Sequence, residues 1–341
     1  MSLSAKAPIL SMGILAAALL AACSPAKQDA APTSSAPNDT TSSSNTKHLA
    51  VTAILEHPSL DSVRKGMLEQ LKTEGFEEGK NLTVDFQSAQ GNPATAAQIA
   101  KKFAGDKPDV VVAISTPSAQ AMVSATKEIP IVYSAVTDPI SAKLVSNWKP
   151  SGTNVTGASD GIPLGPQIDL MKKLVPNLKS VGYVYSPGEV NSTIVMNELK
   201  ADLGKQGINL SAASAQRSSE VLTAARSLNG KAQLIYTSLD NNVVSSYESM
   251  YKAANEIKVP LVASNTESVE RGAVAALGIS YADLGKETGK IVARILKGEK
   301  PGDIPSQRIE KFDLYLSPKH AASQGIDLPN SLKAQAAKII E

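Results

Sequence analysis

The side chains best suited to chemistry are gathered directly after apolar runs. They are Glu56-His57-Pro58, then Ser115-Thr116-Pro117-Ser118-Ala119-Gln120, then Thr137-Asp138-Pro139. Further along come Ser186-Pro187-Gly188-Glu189-Val190-Asn191-Ser192, Ser238-Leu239-Asp240-Asn241-Asn242 and Asn265-Thr266-Glu267. Small hydroxyls at a helix start accept and donate around a carboxylate, and the helix dipole there favours negative charge. Thr116, Ser118 and the neighbouring amides suit that role, while Glu56, Asp138, Asp240 and Glu267 carry the charge that would hold an ammonium. Taken singly, each such residue also serves as a helix cap or a solvated acid. Clusters at matching places in two halves of the chain point instead to a small ligand held between them.

Reaction chemistry has weaker support. Gly157-Ala158-Ser159-Asp160-Gly161 matches the G-x-S-x-G nucleophile pattern, with His320 downstream and Asp residues between, in hydrolase order. That pattern needs a helix immediately after the serine, whereas Gly161, Pro163, Gly165 and Pro166 follow. A loop is expected there, which leaves a serine hydrolase using Ser159 as a remote alternative. The histidines are His48, His57 and His320, none with a ligand partner at metal-binding spacing, so no metal site is expected. His57 is expected in a loop beside the cleft. No phosphate-cradling glycine motif follows a strand, so no cofactor is expected. With 34 Lys plus Arg against 32 Asp plus Glu, the net charge of +2 provides no field for nucleic acid.

The elements that must position these clusters follow from periodicity. From His48 onward, short apolar runs alternate with amphipathic stretches, the pattern of a parallel sheet covered on both faces. Strands are expected at 49–55, 82–86, 110–114 and 129–132, with helices at 58–74, 93–103 and 117–126 between and after them. The order recurs: strands at 181–185, 208–212, 234–237 and 260–263, and helices at 192–205, 220–228 and 243–257. Val110-Val111-Val112-Ala113-Ile114-Ser115-Thr116 with Ile129-Pro130-Ile131-Val132 has its counterpart in Gln233-Leu234-Ile235-Tyr236-Thr237-Ser238 with Val259-Pro260-Leu261-Val262. Such duplication makes two α/β lobes with a cleft between equivalent sheet edges. The remainder reads as strand 273–279, helix 283–296, strand 308–316 and two short helical stretches. Tyr133, Tyr185 and Tyr236 lie in or at the ends of apolar strands, where core packing is expected.

The N-terminus reads as an export signal. Lys6 precedes the apolar run from Ile9 to Leu20, and Leu20-Ala21-Ala22-Cys23 supplies a small-residue cleavage site. These four residues resemble the bacterial lipobox, whose cysteine is acylated and becomes the mature N-terminus. Cys23 is the only cysteine in the chain, so no internal disulfide is available. Residues 24–46 are polar and small, a composition that serves as a flexible tether. The expected plan is a signal peptide at 1–22, a lipidated tether at 23–46 and a body from 47, exported and lipid-anchored to a bacterial membrane.

Several longer stretches resemble a known family. Glu56-His57-Pro58-Ser59-Leu60-Asp61, Asp106-Lys107-Pro108-Asp109, Thr116-Pro117-Ser118-Ala119-Gln120, Ala135-Val136-Thr137-Asp138-Pro139, Asn154-Val155-Thr156-Gly157, Asn191-Ser192 and Asp240-Asn241 are similar to the ABC-transporter substrate-binding proteins that include tryptophan- and tyrosine-binding lipoproteins. The resemblance runs from about Leu49 to Leu328. It implies a periplasmic-binding-protein type I fold, two Rossmann-like lobes with parallel sheets, hinge-connected. It also implies that the chain crosses between lobes, with lobe 1 at 47–155 plus 281–300 and lobe 2 at 156–280 plus 301–341.

On function, the resemblance implies capture of a small zwitterionic ligand, an aromatic amino acid, by hinge closure, without catalysis. It implies a clamp drawn from Glu56, Thr116, Ser118, Ala119, Asp138, Ser159, Asp160, Asn191, Ser192, Asp240 and Asn241. The expected partners are an ABC permease and its ATPase subunit, with a monomeric binder and a membrane reached through the lipid alone. A binder of another small solute, or a sensory receptor, is the alternative.

Overall fold

The computed structural model describes residues 46–341. The expected signal peptide, Cys23 and all but the last residue of the tether lie outside the described residues.

The first lobe runs β1 (Lys47–Ala53), α1 (Pro58–Thr73), β2 (Leu82–Ser88), α2 (Pro93–Asp106), β3 (Val110–Ile114), α3 (Thr116–Ala125), β4 (Ile131–Ser134) and β5 (Val155–Ser159). Every residue of β3, Val-Val-Val-Ala-Ile, is buried, which is why it reads as an unbroken apolar run rather than an alternating one. Helix α2 starts where Asn92 Oδ1 accepts from the amides of Ala94 and Thr95, at 2.8 and 3.3 Å.

The second lobe runs α4 (Leu164–Leu174), β6 (Ser180–Tyr185), α5 (Val190–Lys205), β7 (Asn209–Ser214), α6 (Val221–Arg226), β8 (Leu234–Thr237), α7 (Asn241–Ser245), α8 (Tyr247–Ile257), β9 (Leu261–Ala263) and β10 (Ala275–Gly278). After these come α9 (Tyr281–Leu296), β11 (Gln307–Arg308), β12 (Asp313–Leu316), α10 (Pro318–Ser323), α11 (Asn330–Lys333) and β13 (Lys338–Ile339).

The two sheets are ordered β11-β5-β4-β3-β1-β2 and β13-β12-β10-β9-β8-β6-β7. Five strands counted from one edge of each sheet have the same order, β2-β1-β3-β4-β5 and β7-β6-β8-β9-β10, and all pair in parallel. The duplication visible in residues is therefore a duplication of topology. Each sheet has an apolar core on both faces, with Val112 and Val110 on one side of the first sheet and Val111 and Ala113 on the other.

The chain passes between lobes three times. It leaves the first sheet after β5, returns from β10 to α9, whose Tyr281 and Leu284 pack into the first core, and leaves again between β11 and β12. Two boundaries expected from sequence therefore move. The division at 155/156 falls inside β5, because Val155–Ser159 pairs with β4 in the first sheet. The expected strand 308–316 is two strands in different sheets, so 301–308 stays with the first lobe through β11, while β12 joins the second. The Pro- and Gly-rich stretch after Ser159 is irregular only to Pro163; helix α4 then starts at Leu164 and was not anticipated.

Candidate ligand-binding cleft

In a parallel sheet, loops at the carboxyl ends of the strands point to one edge, and these two lobes turn those edges toward each other. A narrow cavity lies there, lined from both lobes. The first lobe contributes His57, Ser59 and Leu60 from the β1–α1 junction, Thr116 from β3–α3 and Ala135 after β4. The second contributes Asn191 after β6, Leu239, Asn241 and Val244 after β8, and Asn265 after β9. Asp160 and Tyr281 come from two of the three crossings.

Asp160 carries the charge of the cavity. It is 3% exposed, its Oδ2 accepts from the Tyr281 hydroxyl at 3.0 Å, and its buried Oδ1 has no partner among the described residues. Burial raises its pKa to about 6, against the Tyr281 hydrogen bond that pulls it down. Neither Lys nor Arg lines the cavity. An isolated buried carboxylate is costly, and a ligand ammonium on Oδ1 would supply the missing partner.

The opposite need, a place for a carboxylate, is met by the start of α3. The first helical bond runs from Ala119 N to Ser115 O at 3.1 Å, so the amides of Thr116 and Ser118 precede the hydrogen-bonded ladder. The buried hydroxyls of Ser115 and Ser118 also lack partners among the described residues. Ser115 is held at φ 82°, ψ 156°, a conformation that costs a non-glycine residue about 1–3 kcal/mol. Ala135, at the next strand end, also has positive φ, 54°. Ala135 lines the cavity and Ser115 directly precedes Thr116, which also lines it, so both uncommon backbone conformations border the site.

His57 turns inward at the N-terminus of α1. Burial first, and the positive charge of Arg271 second, lower its pKa to about 3, so it is a neutral ring over the physiological range. The lobes already touch around the cavity: Asn265 Nδ2 donates to Ser59 Oγ at 3.2 Å, and Ser59 Oγ donates to Glu267 Oε2 at 3.5 Å.

Of the residues singled out from sequence, Thr116, Asp160, Asn191 and Asn241 line this cavity. The others have different places. Glu56 is exposed, because the bend after β1 turns His57 inward and its neighbour out. Asp138 accepts from the amides of Ile140 and Ser141 at 3.0 and 3.1 Å and so closes its own turn. Ser159 Oγ donates to Thr137 O at 3.1 Å and accepts from Gly161 N at 3.0 Å, which staples the crossing. His320 lies edge-on to Tyr251 in the second lobe, so the hydrolase arrangement is not assembled. Asp240 caps α7 through Val243 N at 3.0 Å and takes Ser186 N and Oγ at 2.6 and 2.9 Å. Ser118, Ala119 and Ser192 are buried at the helix starts beside it without lining it. Tyr133 and Tyr236 are buried in the cores, and Tyr185 packs partly buried against its own.

Sequence reasoning missed Ser59, Asn265 and Tyr281 as lining residues. Asn265 stood in a quoted cluster, but Tyr281 opens a helix of the first lobe, and nothing local to it announces a cavity.

A family model described as ABC transporter substrate binding protein matches residues 48–340. The chain is 39% identical to a tyrosine-binding protein of Clostridioides difficile, over 89% of this chain and 88% of that one. It is 34% identical to an ABC domain from Streptococcus pneumonia solved in complex with L-Trp, covering 86% of this chain and 99% of the other, with a TM-score of 0.83. Against the ligand-free, open structure of a substrate-binding protein with adhesive properties from Clostridium difficile it is 38% identical, with 86% and 99% covered, yet the TM-score is 0.65. The poorer superposition on the more identical, open chain fits lobes drawn together here, as the Ser59–Asn265 contact also requires. Two α/β lobes joined by three crossings are the type I periplasmic-binding-protein fold, and the structural neighbours are binding proteins rather than enzymes. By the family match along nearly its whole described length, the chain belongs to the ABC transporter substrate-binding proteins.

Proposed function

We propose that the protein captures an aromatic amino acid between its lobes and presents it to an ABC permease driven by a separate ATPase. The observation that carries the ligand class is Asp160: a buried carboxylate with one unpartnered oxygen, in a cavity without Lys or Arg, facing an ammonium-sized need. The start of α3 complements a ligand carboxylate, and Leu60, Leu239, Val244 and the Tyr281 ring provide apolar contact for a side chain. The tyrosine-binding relative and the L-Trp complex support the aromatic choice. Calorimetric titration with tyrosine, tryptophan and phenylalanine, set against sugars and polyols, tests the reading. Binding of a sugar or polyol in place of all three amino acids would refute it.

The same proposal includes a lipid anchor on Cys23, supported by Leu20-Ala21-Ala22-Cys23 and the small, polar stretch that follows. In a bacterial host, Cys23→Ser should move the protein from the membrane fraction to the soluble one. Unchanged membrane association would remove the anchor from the account.

A further inference from the structure

Glu189 belongs to none of the roles above. It is buried at the end of the β6–α5 loop, 7% exposed, and does not line the cavity. One of its oxygens, Oε2, takes three donors: Asn191 Nδ2 at 2.9 Å, Asn241 Nδ2 at 2.7 Å and the Asn241 amide at 3.1 Å. Asn191 and Asn241 are two of the polar residues that the second lobe places in the cavity wall. Asn191 Nδ2 also donates to Leu239 O at 2.9 Å, so its NH₂ group is fully committed. Its Oδ1 is buried without a partner among the described residues.

An asparagine amide turned by 180° exchanges an acceptor for a donor at almost no change in shape, so a wall made of asparagines has no fixed polarity of its own. A carboxylate behind the wall accepts and cannot donate while ionised. It therefore selects one orientation of each amide and leaves the carbonyl oxygens as the atoms these side chains offer the cavity.

We propose that Glu189 is a specificity-determining positioning residue, which by holding the NH₂ groups of Asn191 and Asn241 makes the second-lobe wall an acceptor of ligand N–H donors. The inference rests on the amino-acid reading and deepens it: Asp160 supplies the charge for the ammonium from the hinge side, and Asn191 Oδ1 supplies a second acceptor from the facing lobe. Such a wall rejects a ligand in which the ammonium is absent, because Asn191 Oδ1 is then left buried and unpaired. Burial first, and the negative charge of Asp240 behind the same loop second, push the Glu189 pKa up, but a proton taken up there sits on Oε1 and leaves Oε2 the acceptor of its three N–H donors. Three donors on one oxygen oppose that rise. A ligand ammonium nearby favours the ionised form further.

Discrimination is the readout that separates positioning from mere structural support. In the purified full chain, the dissociation constants of tyrosine and of 3-(4-hydroxyphenyl)propionate, its deaminated analogue, are measured by titration for the wild type and for Glu189→Gln. Glutamine keeps the volume but adds an NH₂ group, which allows either asparagine to turn over. The expected result is that the preference for the amino acid falls about tenfold or more, chiefly through weaker amino-acid binding. Asn191→Ala removes the wall acceptor without touching Glu189 and should lower the preference to a similar degree; it carries the test if the Glu189 variant does not fold. Equal weakening of both ligands, or an unchanged preference in either variant, would overturn the assignment. If the wild type binds neither tyrosine nor another aromatic amino acid, it is the proposed function that fails, not the Glu189 assignment alone.

Discussion

Asp160 concentrates the argument at the scale of single residues. Its folded pKa, about 6, lies above its unfolded value of 3.8, so protonation favours the unliganded fold. That stabilisation is full below 3.8 and is lost as pH rises through about 6. Ligand binding has the opposite sign, since an ammonium needs the ionised carboxylate. Tyr281, its hydrogen-bond donor, stays protonated because burial and the Asp160 charge push its pKa well up, and His57 stays neutral above about pH 3. Affinity for an amino acid should therefore fall about tenfold between pH 7 and pH 5 as Asp160 takes up its proton. Asp160→Asn should weaken binding about 10- to 100-fold at pH 7.5, and leave the unliganded protein as stable as the wild type or up to about 3 kcal/mol more stable. Calorimetric titration and thermal unfolding of both proteins check the pair of outcomes. Lost affinity accompanied by lost stability would contradict this role.

Asp160 was named in the sequence through the family resemblance and as the neighbour of Ser159 in a hydrolase-like motif, and no local pattern set it apart from other acids. The motif is a strand end and a staple: β5 closes the first sheet, and Ser159 ties the crossing to Thr137. The strand-end pattern offered Asp138 and Asp240 for an ammonium. Asp138 is spent on its own turn and Asp240 on the start of α7 and on Ser186, whereas Asp160 at the crossing leaves one oxygen free. Which acid is spent on its own turn is decided by backbone geometry, which local pattern does not encode.

At the scale of elements, the site depends on how α9 returns to the first lobe, because Tyr281 opens that helix. Helices α1 and α9 approach backbone to backbone. A methyl group at Gly285 would overlap the Val63 carbonyl oxygen, and one at Gly66 would overlap that of Ala282. Gly285→Ala should cost about 1–3 kcal/mol and displace Tyr281 from Asp160, weakening ligand binding as well. Chemical denaturation and titration of the variant measure both, and a fully stable variant with normal affinity would show that the close packing is not required. The strands and helices of the two repeats were legible because buried parallel strands are continuous apolar runs bounded by breakers. The crossings were not. Val155–Ser159 is short and polar at its end, and Gln307–Arg308 is a two-residue strand, so neither carries a periodicity that assigns it to a sheet.

At the scale of the molecule, two copies of one topology, joined three times, make a cleft whose walls come from separate bodies and whose charge comes from the crossings between them. A ligand bound to Thr116 and Asn191 touches both lobes, and at Asp160 it touches a crossing, so binding energy and lobe closure are coupled. The similarity to an L-Trp complex over an open, ligand-free relative is consistent with this closed arrangement. Recognition of a free aromatic amino acid by the cleft is checked by calorimetric titration of the purified protein with tyrosine, tryptophan and phenylalanine at pH 7.5. At least one of them is expected to fill one saturable site per chain, with a dissociation constant of about 1 μM or tighter. Absence of binding by all three, with a sugar or polyol saturating the site instead, would contradict it.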